Sequence, residues 1–360
     1  MRPRPAAAVA VVVVFVVLMV GVGYWGFASR GHGDPVAAPS SARPPATSGP
    51  PASPPAIPPA VPPALPRGVA SLDGVLDKAG VPLPAGASVY VAEVLAAGNG
   101  EATYIPYEAG GGAYDATLWP ASSVKVLAAL GALRYLETLG FTGAAVVTTD
   151  EWSATVSDLY DEAIRNSSND AYDCLVEIAG VDWLNEVFLT PGNGFTATVI
   201  QRSYEDGSVI SSPEMTISED GRTVDIPART PEVDLGVPDG GNRSNLAEMV
   251  DSVRRVTLDA ELPAGERLGL APADVALMTE ALLGADGFLQ AGVTDALGDD
   301  ALVYDKPGWV EGESCIDVGL VVDPADDRRF LVGIASPDDG TECEAVPEIA
   351  AAVLSSLAAS

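Results

Sequence analysis

LWPASSVKVLAALGALRYLETLG runs from residue 118 to residue 140. From Val124 to Leu136 it is almost wholly apolar and built of good helix formers. A helix apolar on nearly every face belongs in the middle of a domain, not on its surface. The one cation near its start, Lys125, lies in the first helical turn. There the positive end of the helix dipole and the apolar surroundings both disfavour a charged ammonium. Ser122, three residues earlier, falls on the same helical face, whereas Ser123 points elsewhere. Ser122 also stands at a helix N-terminus, where free backbone N–H groups can hold an oxyanion. Ser122 as an ordinary N-cap and Lys125 as a snorkelling side chain is the competing account.

Working outward, ASVYVAEVL (87–95) and ATYIPYEA (102–109) read as paired strands before this helix, after a short helix over 72–79. Helices follow from Ser157-Asp158 to about Asn166 and over 170–180. Asn245 with Glu248 three residues on predicts a capping box, and Pro272 opens a helix over 272–284. Segments 301–310, 315–323 and 329–336 read as three successive strands, and Glu348–Leu357 as a closing helix. Residues 203–243 look like a loop-rich insertion, with MTISEDGRTVDI as a hairpin on an Asp-Gly turn. Strands from both chain ends can pair into one antiparallel sheet flanked by helices, an α+β fold with a helical subdomain.

The chain has 360 residues, and its basic residues are 16 Arg and three Lys: Lys78, Lys125 and Lys306. The single His is His32, outside the segment that can fold, which removes Ser-His-Asp and Cys-His chemistry. Three scattered Cys do not make a zinc site, so no metal is expected. A net charge of −31 argues against nucleic-acid binding. Any base is therefore a Lys or a carboxylate.

Residues 1–30 carry Arg2 and Arg4 before an uncharged run from Ala6 to Ser29, long enough to cross a bilayer core of ~30 Å. The length and flanks favour an uncleaved signal-anchor helix over a cleaved signal peptide. Residues 31–67 are Pro-rich and read as an extended, disordered spacer. Residues 68–360 form the folded domain, membrane-anchored and extracytoplasmic, or secreted if the first segment is cleaved. Outside the membrane Cys315 and Cys343 can pair, while Cys174 reads as a buried small hydrophobe.

Two further elements complete the pattern: Ser167-Ser168-Asn169 between two helices, and Lys306-Pro307-Gly308 in a strand. Each alone is an ordinary cap or an odd strand residue. In the order Ser-x-x-Lys, Ser-x-Asn, Lys-x-Gly they make the chain resemble the serine β-lactamase and penicillin-binding superfamily, closest to the class A β-lactamases. The flanks Trp119-Pro120-Ala121, NSSNDAYDCLVEIAG and VYDKPGWV carry the likeness too. It covers about 72–360, apart from 203–243.

The resemblance implies Ser122 as acylated nucleophile, Lys125 as its base and Ser167 as proton relay. It implies Asn169 on the substrate amide, Lys306 as positive potential, and Gly308 and Trp309 in the substrate strand. The backbone N–H groups of Ser122 and Trp309 would form the oxyanion hole. No cofactor is implied. The partners are a small-molecule β-lactam or a peptidoglycan stem peptide, with the membrane contacted through the N-terminal helix and no nucleic acid. Pro307 departs from the hydroxyl residue of the third motif and fits only an edge strand. Glu205 stands only approximately where class A enzymes carry a deacylating Glu, without the Leu-Asn partner. A positioned Glu205 favours a β-lactamase and an unpositioned one a D,D-peptidase. The alternative is a catalytically weak cell-wall binding or sensing domain.

Overall fold

The computed structural model describes residues 65–359, apart from 69, 97, 339 and 342. The segment 1–30, where the signal anchor is expected, lies outside the described residues. Among the described residues no helix is long and apolar enough to cross a membrane.

The strands are β1 (Ala70–Ser71), β2 (Ser88–Ala96), β3 (Ala102–Ala109), β4 (Val146–Thr148), β5 (Ser153–Thr155), β6 (Met215–Glu219), β7 (Arg222–Ile226), β8 (Leu302–Val310), β9 (Ser314–Asp323) and β10 (Arg328–Pro337). The helices are α1 (Asp73–Ala79), α2 (Lys125–Thr138), α3 (Val156–Arg165), α4 (Asn169–Ala179), α5 (Val181–Trp183), α6 (Leu246–Thr257), α7 (Pro272–Leu283), α8 (Leu289–Leu297) and α9 (Ala345–Ala358).

Strands from both chain ends form one six-stranded sheet in the order β1-β3-β2-β10-β9-β8. The pairs are antiparallel except β1, which runs parallel to β3. Side-chain alternation divides the core in two. Tyr90, Ala92, Ile316, Val318 and Leu331 face α2 and α6. Val89, Val91, Val321, Phe330 and Val332 face α8 and α9. Strands β9 and β10 are covered on both faces, which is why their sequences read as continuous apolar runs. A Cys315–Cys343 disulfide ties β9 to the segment entering α9.

Helix α2 is buried on most sides, as its composition predicts. It begins at Lys125, because Ala121–Val124 form a 3₁₀ turn instead of an α-helical one.

Several local readings change. Residues 203–243 are not a free insertion: the hairpin β6–β7 pairs through β6 with β4 in a second sheet, β5-β4-β6-β7. The hairpin turn is as read, with positive φ at Asp220 and Gly221. Strands β4 and β5 have three residues each, too few to show a period of two. Asn245 does cap α6, accepting from Glu248 N at 2.8 Å. The Glu248 carboxylate, however, takes the N–H groups of Thr196 (2.7 Å), Ala197 (3.0 Å) and Thr198 (2.9 Å) and so pins a distant loop. Cys174 is half-buried, not fully buried.

The spacer also ends earlier than 67. Leu65 is buried in the core, the Tyr114 hydroxyl donates to Leu65 O and Pro66 O, and Arg67 pairs with Asp115 at 2.8 Å.

Candidate active site

The 3₁₀ turn before α2 holds Ser122 half-buried at the sheet's β8 edge. Ala121 has φ +46, a region that costs a non-glycine residue energy and persists only when its surroundings impose it. Two contacts impose it. The Tyr204 hydroxyl donates to Ala121 O at 2.7 Å. On the other side β8 comes so close that a Cβ on Gly308 would stand 2.8 Å from Pro120 O and 2.9 Å from Ser123 N. Gly308 therefore sets how near the third motif comes to the first. Ser123 turns inward, its hydroxyl donating to Pro120 O at 2.5 Å.

Lys125 is fully buried one turn further on. Its ammonium donates to Ser167 O at 2.5 Å and to Asn169 Oδ1 at 2.7 Å, and lies 5.7 Å from the centre of the Tyr204 ring. These bonds reach the second motif; among the described residues none runs to Ser122. Burial lowers the Lys125 pKa to about 7, and the nearby charge of Lys306 adds to this. Asp173 and Glu205 pull the other way. The sequence reading named the helix dipole beside burial; Lys306 is the second cause here.

The second motif is a corner between α3 and α4. Ser167 sits there with φ +55. Ser168 is the N-cap of α4, accepting from Ala171 N at 3.2 Å. Lys125 meets the two neighbours of Ser168, at the carbonyl of Ser167 and the side-chain oxygen of Asn169. Asn169 also donates to Tyr204 O at 3.4 Å.

Lys306 is buried on β8, the edge strand, which accommodates Pro307. Burial brings its pKa to about 8, held up by the carboxylates of Asp317 and Asp305. Trp309 is 49 % exposed, its indole N–H donating to Asp338 at 2.9 Å.

Glu205 is exposed on its loop. The side chain that reaches the turn carrying Ser122 is its neighbour Tyr204, stacked on Tyr172 at 4.6 Å. Asp173 fixes this loop by accepting from Ser203 Oγ at 2.5 Å and Tyr204 N at 3.0 Å. Burial raises the pKa of both Asp173 and Tyr204. Sequence reasoning missed both residues. Asp173 was within reach, lying four residues after Asn169 on the same face of one helix.

The arrangement joins a serine on a strained turn, a buried lysine that loses its proton near neutrality, and a second buried lysine. This is the equipment for acyl transfer through a serine ester. Among the described residues there is no group of three or more His, Cys, Asp or Glu able to hold a metal ion.

Residues 115–357 match the sequence pattern of the beta-lactamase enzyme family. No curated protein matches the chain in sequence. Among solved structures it is similar to a mutant of PBP-A, solved as its acyl-enzyme complex with penicillin G. That match has 14 % identity and a TM-score of 0.55, covering 83 % of this chain and 100 % of that one. A class A beta-lactamase from Mycobacterium abscessus aligns with 20 % identity and a TM-score of 0.50, covering 80 % and 97 %. The TLA-1 extended-spectrum beta-lactamase aligns with 13 % identity and a TM-score of 0.55, covering 79 % and 98 %. These likenesses are of fold.

Proposed function

Because this chain belongs to the beta-lactamase enzyme family, we propose that it is a serine hydrolase acylated on Ser122, acting on β-lactams and D-Ala-D-Ala-like amides. The observation that carries this is Lys125, fully buried, with a pKa near 7 and its ammonium in the second motif. Neutral Lys125 takes the Ser122 proton as Oγ bonds to the carbonyl carbon. The backbone N–H groups of Ser122 and Trp309 receive the oxyanion. The C–N bond then breaks, and the proton passes from Lys125 through Ser167 to the leaving nitrogen. Lys306 attracts a substrate carboxylate, and Asn169 bonds the substrate amide. Water or an amine finally attacks the ester and restores Ser122.

Of the two activities, the D,D-peptidase type with a long-lived acyl-enzyme is favoured. Glu205 is exposed, and Tyr204 occupies the space under the nucleophile turn. A phenol whose pKa is raised by burial is a poor base for activating water. A catalytically weak sensing domain is the second reading, favoured by Pro307 and by Lys125 bonding Asn169 instead of Ser122. We place the domain outside the cytoplasmic membrane, held by its N-terminal segment. The Cys315–Cys343 disulfide supports an oxidising compartment.

The test is incubation with fluorescent penicillin, followed by mass spectrometry of the Ser122 peptide. Stable labelling, lost in Ser122→Ala, supports the proposal. Rapid nitrocefin turnover moves the assignment to a β-lactamase. Absence of both, in folded protein across a range of substrates, overturns the enzymatic reading.

A further inference from the structure

Strand alternation sends Asp305 and Lys306 to opposite faces of β8. Lys306 faces the α2 side with Tyr304, and Asp305 faces the α8–α9 side with Val303. Asp317 on β9 stands opposite Pro307, so it shares the face of Asp305. Both carboxyls are almost wholly buried, at 1 % and 0 % exposure. They converge under Gly287: a Cβ there would collide with Asp305 Oδ2 and stand 2.8 Å from Asp317 Oδ2. Only a glycine leaves that spot open to both.

Asp317 Oδ2 accepts the Leu289 N–H at 2.9 Å, at the start of α8. Asp305 Oδ2 and Asp317 Oδ1 have no hydrogen-bond donor among the described residues. Buried acceptors without a donor are unfavourable, and a proton held between the two neighbouring carboxyls supplies the donor that is missing.

We propose that Asp305 and Asp317 form a carboxyl pair that holds one proton and one negative charge, and that this pair positions Lys306 from the opposite face of the sheet. The groups around the pair pull in both directions. Burial raises both acids, Asp317 to about 6 and Asp305 well above its ordinary value. The charge of Lys306 and the N–H groups of Phe288 and Leu289 oppose this. On its own face Lys306 meets Lys125, which it repels. One negative charge behind Lys306 keeps its ammonium protonated beside a second lysine. Two would leave an uncompensated charge in the core. The part played by Lys306 in acylation rests on the function proposed above; the shared proton does not.

Asp305→Asn and Asp317→Asn each replace the shared proton with an amide N–H and leave one negative charge. The infrared difference spectrum, wild type minus either variant at pH 8, is expected to show a protonated-carboxyl stretch. The alkaline limb of the acylation pH profile is expected to stay in place in both single variants. In the double variant it moves down by about one pH unit, because Lys306 loses its counter-charge. The proposal is overturned if the difference spectrum lacks that band. It is also overturned if each single variant already moves the limb. A wild type that is never acylated sinks the proposed function, while the infrared spectra still decide the pair.

Discussion

The Lys125 ammonium donates a 2.7 Å hydrogen bond to Asn169 Oδ1, joining the start of α2 to the start of α4. Under the proposed function, the base is thus held by the same residue whose amide bonds the substrate. Asn169→Ala should release Lys125 and slow acylation, whereas Lys125→Ala removes the base outright. The larger loss, ~10²–10⁴-fold, is expected for Lys125→Ala in stopped-flow labelling by fluorescent penicillin. Equal rates in Lys125→Ala and wild type would remove Lys125 from the mechanism.

The pH profile of acylation follows from the same two lysines. Lys125 must be neutral to accept a proton, so the rate falls as pH drops below about 7. Lys306 must be charged to attract a carboxylate, so the rate falls again above about 8. A bell centred between these values is expected for carboxylate-bearing substrates. For a substrate lacking the carboxylate, the alkaline limb should weaken.

Stability carries a matching signature. The folded pKa of Lys125 lies below its ordinary 10.5, so the unfolded chain binds the extra proton between about 7 and 10. Stability from this group therefore rises with pH across that window. Lys125→Met should flatten that rise, read as Tm against pH for the two proteins. An unchanged slope would mean that Lys125 titrates alike in both states.

Gly308→Ala places a methyl against Pro120 O and Ser123 N. The turn carrying Ser122 must shift, and small displacements of a nucleophile are costly. Acylation should fall by about tenfold or more, with circular dichroism unchanged. Glu205→Gln serves as the contrast. Because Glu205 is exposed, the lifetime of the acyl-enzyme should be the same as in wild type.

Cys315 and Cys343 are 28 residues apart in the chain. On the chain-entropy account, closing a loop of this length stabilises the fold by ~3–4 kcal/mol. Chemical denaturation of the Cys315→Ser/Cys343→Ser variant should show a loss of that order. Cys174→Ser should show far less, since its thiol is unpaired.

What the sequence made legible was what neighbouring residues decide. The apolar run of α2, the Asp-Gly turn of the β6–β7 hairpin and the strands of the sheet core were all readable from local pattern. Helix α8 was not, because its N-cap Phe288 makes no side-chain cap, and Asp317 supplies an acceptor from another strand. Tyr204 and Glu205 are adjacent, and only the folded loop decides which of them turns inward. Asp305 and Asp317 carry no sign of one another in the sequence, since their meeting depends on the β8–β9 register and on Gly287. The three motifs were recognisable because their order and spacing survive in one dimension. Their electrostatics were not, because the charge that most affects Lys125 sits 181 positions away on Lys306.

The seating of Leu65, Pro66 and Arg67 bears on how the domain meets what lies ahead of it in the chain. A leash joined at a loose surface residue acts as a swivel, and the body it holds can present any side. Here the joint is bolted: Leu65 is buried in the core, the hydroxyls of Tyr90 and Tyr114 bond the carbonyls of Leu65 and Pro66, and Arg67 pairs with Asp115. Ser122 therefore keeps a constant bearing relative to Leu65, where the described chain begins.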